Sequence, residues 1–206
     1  MKKIFCLLLS ALMLLSLGAC GQEPKVTEPS TTMAPTTAPA VQEEPITAVI
    51  TIRDHGTIEV ELDRSAAPIT VDNFVKLARE GFYDGLTFHR IIDGFMMQGG
   101  DPEGTGRGGS DEKIQGEFRQ NGIENPISHT RGTISMARAQ SKNSASSQFF
   151  IVHEDSTFLD GAYAGFGHVT DGMEVVDAIC ADTPVEDDNG TVLPENQPVI
   201  ESVTIR

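Results

Sequence analysis

From Ile46 onward, short runs of β-branched and aromatic residues follow one another with few helical interruptions. The clearest run is 57–62, in which three aliphatic side chains alternate with two glutamates. Strict alternation places the aliphatic side chains on one face of a strand and the glutamates on the other. Because a strand-like run at 47–52 precedes it and Asp54-His55-Gly56 is a turn signal, the pattern predicts a hairpin with one solvated face.

Strands dominate the rest of this region. Further strand candidates share the same composition: 87–92, 96–98, 133–137, 149–153, 166–169 and 199–205. One helix is predicted to begin at Pro68, with Thr70 as a candidate cap and Gly81 just past its end, and a second is predicted over Met173–Ala181. About eight short strands without regular alternation with helices favour an antiparallel barrel or sandwich, with the helices outside it or at its ends.

The N-terminal residues have the features of an export signal. A short positive start is followed by the apolar run 4–17, which is too short to span a bilayer comfortably. Leu17-Gly18-Ala19-Cys20 resembles the bacterial lipoprotein box, which implies cleavage of residues 1–19 and lipid attachment at Cys20. The alternative is an ordinary secretory signal with an incidental cysteine. The first interpretation predicts an extracytoplasmic protein, anchored to a bacterial cell membrane by its N-terminal lipid.

Residues 20–45 differ in composition from the remainder of the chain. They are rich in Pro, Thr, Ala and Glu and lack helical or strand periodicity, which predicts a disordered tether between the lipid and a domain over 46–206. The chain has three cysteines. Cys6 would leave with the signal and Cys20 would carry lipid, so no disulfide within the chain is expected. Cys180 lies in a predicted helix and is expected to be a buried, inert thiol.

Charge and motif spacing exclude several functions. The net charge of -15 argues against a nucleic-acid partner, because phosphate binding depends on clustered Lys and Arg. The five histidines are dispersed, without the spacing of a zinc site. The glycine-rich stretch 104–109 matches G-x-G-x-x-G but lacks the strand and helix of a dinucleotide site, and is interpreted as a loop. Neither a metal nor a cofactor is therefore expected, and the protein is expected to be monomeric.

Two segments combine apolar and polar residues in an unusual way. One reads FHRIIDGFMMQGGD over 88–101, and the other reads GTISMARA over 132–139 followed by SSQFFI over 146–151. Either segment alone is explained by core Phe and Met with Arg90 and Gln98 on a solvated edge. Together, from about Ile46 to the C-terminus, they resemble the cyclophilin family of peptidyl-prolyl cis-trans isomerases. The resemblance implies a mainly β fold, a closed eight-stranded antiparallel barrel capped by two α-helices, in agreement with the strand count.

The resemblance also implies site residues. Arg90 matches the catalytic arginine of the family, and Phe95 and Gln98 complete the predicted catalytic group. The predicted substrate-binding residues, which line the groove or pair with an extended peptide, are His89, Met96, Ala137, Arg138, Ala139, Gln148, Phe150, Phe158, Leu159 and Tyr163. Phe158 replaces the Trp of cyclosporin-sensitive members, which puts strong cyclosporin binding in doubt.

The predicted function is acceleration of rotation about X-Pro bonds. The partners would be proline-containing segments of unfolded or exported proteins, whose folding the enzyme assists at the membrane surface. Such rotation needs no nucleophile, only weakened amide resonance, for which a permanently charged and directional guanidinium is suited. The alternative function is a non-catalytic peptide-binding module or holdase on the same fold. The presence of Arg90, Phe95 and Gln98 together favours the enzyme.

Overall fold

The computed structural model describes residues 45–206, and the predicted signal peptide, the lipid site at Cys20 and the tether up to residue 44 lie outside this part. The helices and strands, in chain order, are β1 Ile46–Ile52, β2 Gly56–Leu62, α1 Pro68–Arg79, β3 Thr87–Ile92, β4 Met96–Asp101, β5 Thr133–Met136, β6 Phe149–Val152, β7 Ala164–Asp171, α2 Met173–Asp182 and β8 Ile200–Ile205. Three short 3₁₀ helices lie at Arg119–Asn121, Thr157–Leu159 and Pro194–Asn196. No helix in the described range is long and apolar enough to cross a membrane.

The predicted first hairpin is confirmed. β1 pairs antiparallel with β2 from Ile46 opposite Leu62 to Ile52 opposite Gly56. The aliphatic side chains of β2 are buried, whereas its glutamates are partly or fully exposed. Asp54 and Gly56 both have positive φ angles, of 63° and 124°, as the tight turn between the strands requires.

All eight strands form one antiparallel sheet with the order β3-β4-β6-β5-β7-β2-β1-β8. The prediction of a closed barrel is wrong, because the sheet is an open half-barrel. Its edge strands, β3 and β8, meet only at an isolated bridge from Thr87 to Val199. At this bridge the Phe88 N–H donates to the Pro198 carbonyl at 3.0 Å. Further along β3, the Ile91 N–H donates to the Gly190 carbonyl at 2.8 Å and the His89 carbonyl accepts the Val192 N–H at 3.0 Å, so the segment 190–192 and not β8 bonds this part of the edge.

Helix α1 is held by a residue distant in sequence. Val71, Phe74 and Leu77 are buried on its inner face, as its apolar stripe predicts. The predicted cap at Thr70 is wrong, since the cap position is Ala67, which makes no side-chain cap bond. The buried Glu117 carboxylate instead accepts the Ile69 N–H at 3.0 Å, the Thr70 N–H at 2.8 Å and the Thr70 hydroxyl at 2.7 Å. A carboxylate is favoured there because it satisfies free amides at the positive end of the helix dipole.

Helix α2 carries the single cysteine of the described region. Val176 and Ile179 are fully buried, and Met173 is partly buried against the core. Cys180 is 5% exposed, and burial raises the pKa of its thiol to about 12. The thiol therefore stays protonated at neutral pH, which confirms the prediction that it is buried and inert.

Adjacent apolar residues in β4 and β6 point to opposite faces of the sheet and so belong to two different apolar clusters. Phe149 and Met97 belong to the main core, where Phe149 packs edge-on against Phe74 with ring centroids 5.5 Å apart. Phe150 and Met96, one position away in sequence, lie in a smaller cluster with Leu159. Because neighbouring side chains in a strand point to opposite faces, each FF or MM pair supplies one residue to each layer. The smaller cluster is the floor of the candidate site.

Candidate functional site

The strand register places three predicted site residues in one row. Arg90 of β3 lies opposite Gln98 of β4, Gln98 lies opposite Phe150 of β6, and Phe150 lies opposite Ser135 of β5. Residues in such a row share a face of the sheet. A cation, an amide and an aromatic ring from three strands therefore line a single groove.

A β-bulge in β3 makes this row possible. Phe88 pairs with Gly99 and Arg90 with Gln98, so His89 is an extra residue with no partner across the ladder. Without the extra residue, Arg90 would point into the core, because side chains alternate between faces. The bulge thus keeps Phe88 in the core and turns Arg90 toward the groove.

A pocket of about 140 Å³ lies in this groove. Nine predicted site residues line it: Arg90, Phe95, Met96, Gln98, Ala137, Arg138, Phe150, Leu159 and Tyr163. Its floor is apolar and well buried, with Met96 at 1%, Phe150 at 5% and Leu159 at 9% exposed. A small, rigid apolar ring fits a slot of this kind, because the aromatic and thioether walls cannot satisfy polar groups.

Of the four remaining predicted site residues, three lie around this pocket and His89 does not. Ala139 and Gln148 line a second pocket beside it. Phe158 is on the rim, 74% exposed, with its ring centroid 5.6 Å from that of Phe95. His89 lies outside the groove, behind the glycine-rich loop at Gly106, and neither of its buried ring nitrogens has a hydrogen-bond partner.

The Arg90 guanidinium is held by Asn189, which does not line the pocket, and by Gln98, which does. Its Nε donates to the Asn189 carbonyl at 2.9 Å and its Nη2 to Asn189 Oδ1 at 3.1 Å. Its Nη1 lies 3.4 Å from Gln98 Oε1. Burial lowers the pKa of Arg90, yet an arginine remains charged at neutral pH. The charge is therefore permanent and its direction is set.

The loop that carries Asn189 is itself tightly tied. The Asp187 carboxylate accepts the N–H groups of Asn189 at 3.1 Å and Thr191 at 3.0 Å, and the Thr191 hydroxyl at 3.0 Å. Gly190 has a φ of 77°, and a Cβ there would collide with the Ile91 carbonyl oxygen. The run Asp-Asp-Asn-Gly signals a turn in the sequence, but nothing local indicates that it contacts Arg90, 99 residues away.

A hydrogen-bonded triad behind the pocket, with His129 and Ser135 buried and Asp160 partly exposed, has no signal in the sequence. His129 Nδ1 lies 2.8 Å from Asp160 Oδ1, and its Nε2 lies 2.9 Å from the Ser135 hydroxyl. The ring of His129 stacks on Phe150, with centroids 6.0 Å apart and planes 19° apart. A Ser-His-Asp arrangement invites comparison with hydrolases, but Ser135 is fully buried and inaccessible to substrate. The triad therefore supports the pocket wall.

The protonation of this triad is set by its burial and its hydrogen bonds. Burial lowers the pKa of His129, so its ring is neutral at pH 7. Burial alone would raise the pKa of Asp160, but hydrogen bonds from Ser128 and His129 outweigh it and lower the pKa. Because Asp160 is ionised, Nδ1 of His129 must donate to it, and Nε2 then accepts from Ser135.

The groove thus combines an apolar slot with a fixed cation beside it. Residues 47–205 match the family described as cyclophilin type peptidyl-prolyl cis-trans isomerase/CLD. Peptidyl-prolyl cis-trans isomerase B of Bacillus subtilis (strain 168) is 52% identical over 128 residues, which cover 62% of this chain and 86% of the relative. A peptidyl-prolyl cis-trans isomerase of Helicobacter pylori (strain ATCC 700392 / 26695) is 47% identical over 136 residues, covering 65% of this chain and 80% of the relative.

A solved structure supports the same assignment. The cyclophilin type peptidyl-prolyl cis-trans isomerase of Cryptosporidium parvum, crystallised in the presence of the dipeptide Ala-Pro, has a TM-score of 0.68 and is 31% identical. The match covers 78% of this chain and 98% of that chain. The chain belongs to the cyclophilin family, whose reaction is cis-trans isomerisation of X-Pro bonds.

Proposed function

We propose that this chain isomerises X-Pro bonds with Arg90 as the catalytic residue, assisted by Phe95 and Gln98, and that it assists folding of exported proteins at a bacterial membrane surface. The observation that carries the assignment of the site is the row from Arg90 through Gln98 to Phe150, with the apolar pocket beside it. The row joins a fixed positive charge to a slot of the right size for a proline ring.

Arg90 acts on the electronic barrier. Resonance gives the peptide C–N bond partial double-bond character and a rotation barrier of about 18–20 kcal/mol. As the bond twists, the prolyl nitrogen becomes pyramidal and its lone pair can accept a hydrogen bond. The guanidinium, held at the pocket by Asn189, donates to that lone pair. Because the lone pair is available only in the twisted state, this bond lowers the barrier instead of merely tightening binding.

The pocket fixes the position of the proline ring. Met96, Phe150 and Leu159 hold the proline ring while the residue before it rotates. Gln98 is oriented by a chain of amides, since its Nε2 donates to Gln148 Oε1 at 2.8 Å and Gln148 Nε2 donates to the Gly108 carbonyl at 2.8 Å. A fixed amide beside the ring restrains the stationary half of the substrate. No covalent bond is made or broken, so no proton donor with a tuned pKa is required.

Asn189 is a positioning residue in this proposal, and its replacement tests the role of a fixed guanidinium. Asn189→Ala removes the bond to Nη2 but keeps the backbone bond to Nε. We expect kcat/KM for a short Ala-Pro peptide to fall about fivefold, which corresponds to a net contribution of about 1 kcal/mol from one solvent-exposed hydrogen bond, with the loss in kcat and not in KM. Exchange rates measured by NMR over a range of peptide concentrations separate the two constants.

Asn196→Ala is the control, because Asn196 is exposed and lies outside both pockets. It should leave both constants unchanged. A rise in KM with constant kcat in Asn189→Ala would mean that Asn189 serves binding only, which would contradict its positioning role.

The membrane location rests on the N-terminal sequence. We propose that residues 1–19 are removed, that Cys20 receives fatty acyl chains, and that residues 20–45 tether the domain. Two acyl chains bind membranes far more tightly than one, because each buried methylene contributes about 0.8 kcal/mol. An anchored isomerase would meet exported chains as they emerge.

Cys20→Ala tests the anchor. We expect wild-type protein expressed in a bacterium to sediment with membranes and to incorporate labelled fatty acid, and Cys20→Ala to lose the label and leave the membrane fraction. Cys180→Ala should keep both properties, because that thiol is buried. Unchanged labelling and sedimentation of Cys20→Ala would reject the proposed anchor.

A further inference from the structure

A second pocket, of about 220 Å³, adjoins the proline pocket and shares Gln98, Ala137 and Arg138 with it. Among its lining side chains, Arg107, Lys113 and Arg138 are cationic and none is a carboxylate. An extended peptide seated in the first pocket advances about 3.3 Å per residue, so a side chain a few residues from the proline reaches the second pocket.

The three cations of this pocket, Arg107, Lys113 and Arg138, lack acidic partners within residues 45–206. Lys113 Nζ has only neutral neighbours, the Ser110 carbonyl at 3.5 Å and the Ser146 hydroxyl at 3.4 Å. Arg138 donates to the Ala162 carbonyl at 3.0 and 2.9 Å and lies over an aromatic ring. Arg107 forms no ion pair in this part of the chain. Their positive charge is therefore not neutralised by the protein itself.

Within residues 45–206, the cations outside this pocket are of two kinds: Arg79, Arg90, Arg119 and Lys142 form no ion pair with a carboxylate, and five others do. Ion pairs to carboxylates are formed by Arg53 with Glu201, Arg64 with Asp72, Lys76 with Glu112, Arg131 with Asp177, and Arg206 with Glu59. What distinguishes the second pocket is that three cations without ion pairs line one cavity, in a chain whose net charge is -15.

Two of the carboxylates near the pocket are bound by other groups, whereas the Glu103 side chain packs against Gly108 of the lining. Glu112, next to Lys113 in sequence, is bound by Lys76 at 2.8 Å. Asp101 is buried under the glycine-rich loop, where its carboxylate accepts backbone N–H groups from Glu103 at 2.9 Å and Gly106 at 2.6 Å, among others. These bonds outweigh burial and lower the pKa of Asp101, so its charge is satisfied by the loop it supports.

We propose that the second pocket binds a carboxylate side chain, so that this enzyme prefers X-Pro segments with Asp or Glu about one to three residues from the proline. The proposal rests on the proposed isomerase function and assigns Lys113 and Arg107 as specificity-determining residues. Both side chains are exposed at the pocket wall, where they attract an incoming carboxylate without first breaking an internal ion pair. The surrounding acidic surface repels acidic peptides elsewhere, which confines the attraction to this groove.

A charge-scanned peptide series tests the proposal on the full-length chain in mild detergent. Each peptide contains one Ala-Pro bond, with Glu, Gln or Lys placed in turn at each of the three positions on either side. We expect the wild type to show a kcat/KM about fivefold higher for Glu than for Lys at the best position, with Gln between them. Because the pocket is open to solvent, the difference should shrink as salt rises from about 20 to 500 mM.

Lys113→Glu should reverse the order of Glu and Lys peptides, and Arg107→Glu should do so independently. Arg79→Glu is the matched control, since Arg79 is an exposed cation at the end of α1, away from both pockets, and the change in net charge is the same. It should preserve the wild-type order. Equal rates for Glu and Lys peptides, or equal changes in the Arg79 and Lys113 variants, would overturn the proposal.

Binding of the same peptides by calorimetry separates this proposal from the function on which it rests. If the protein accelerates exchange of every peptide but does not prefer Glu over Lys peptides, the result contradicts the proposed carboxylate pocket and leaves the isomerase function standing. Tighter binding of Glu peptides without any acceleration supports the pocket and contradicts the isomerase function.

Discussion

Arg90→Ala is expected to lower kcat/KM for isomerisation of an Ala-Pro peptide by about 10²- to 10³-fold. This magnitude reflects the cost of removing one donor that acts only in the transition state, about 2.7–4 kcal/mol. The fall should appear in kcat, since the apolar pocket still binds the proline ring. NMR exchange spectroscopy at several peptide concentrations gives both constants, and circular dichroism checks the fold.

Arg90→Lys sharpens this test because it keeps the charge. In the wild type, Nε and Nη2 of Arg90 donate hydrogen bonds to the carbonyl oxygen and Oδ1 of Asn189. A lysine ammonium is not planar and cannot form this pair of bonds in the same geometry. We expect its activity to lie between those of Arg90→Ala and the wild type. Arg79→Ala, an exposed change outside the groove, should be fully active. An Arg90→Ala variant with wild-type kcat would show that the guanidinium is not the catalytic group.

Asp160→Ala is expected to destabilise the fold by about 2–4 kcal/mol. Asp160 accepts three hydrogen bonds, from the Ser128 hydroxyl at 2.7 Å, the His129 N–H at 2.8 Å and His129 Nδ1 at 2.8 Å. Its loss leaves donors of the fully buried His129 without partners, and each such group costs about 1–3 kcal/mol. Urea unfolding measures the change in the free energy of unfolding. Asp171→Ala, an exposed change on β7, should alter it little.

The same triad predicts loss of stability in acid. Burial lowers the pKa of His129 in the folded state, so the unfolded chain binds more protons between the folded pKa and its ordinary value of about 6.5. The contribution of neutral His129 to the free energy of unfolding is therefore fully present above its ordinary pKa and is lost as the pH falls through its lowered pKa in the folded state. The lowered pKa of Asp160 adds a further loss below about pH 4. Identical stability of Asp160→Ala and the wild type at pH 7 would contradict the supporting role of the triad.

The sequence was most informative where structure depends on local periodicity. Alternation in β2 identified a strand with one solvated face, and the apolar stripe after Pro68 identified α1. The two motif segments led to the groove residues through resemblance, and the structure brings nine of them to one pocket. Hydrophobic periodicity cannot predict whether a sheet closes, because it shows which face of a strand a residue occupies but not which strands pair with each other.

The missed features depend on contacts between distant parts of the chain. Glu117 binds the start of α1 from 47 residues away, so no local capping signal reveals it. Asp160 and His129 are 31 residues apart, so their pairing arises only in the folded chain. The bulge at His89 is likewise invisible in the sequence, yet it decides that Arg90 and not His89 faces the groove.

The most direct test of the central claim is the rate of cis-trans exchange of Ala-Pro peptides in the presence of the protein beginning at Gln42. Spontaneous exchange takes tens to hundreds of seconds. A fixed guanidinium beside the apolar slot predicts that catalytic amounts of folded protein shorten this time by several orders of magnitude. Peptides that bind the folded protein but continue to exchange at the spontaneous rate would contradict it and leave the groove as a passive binding module.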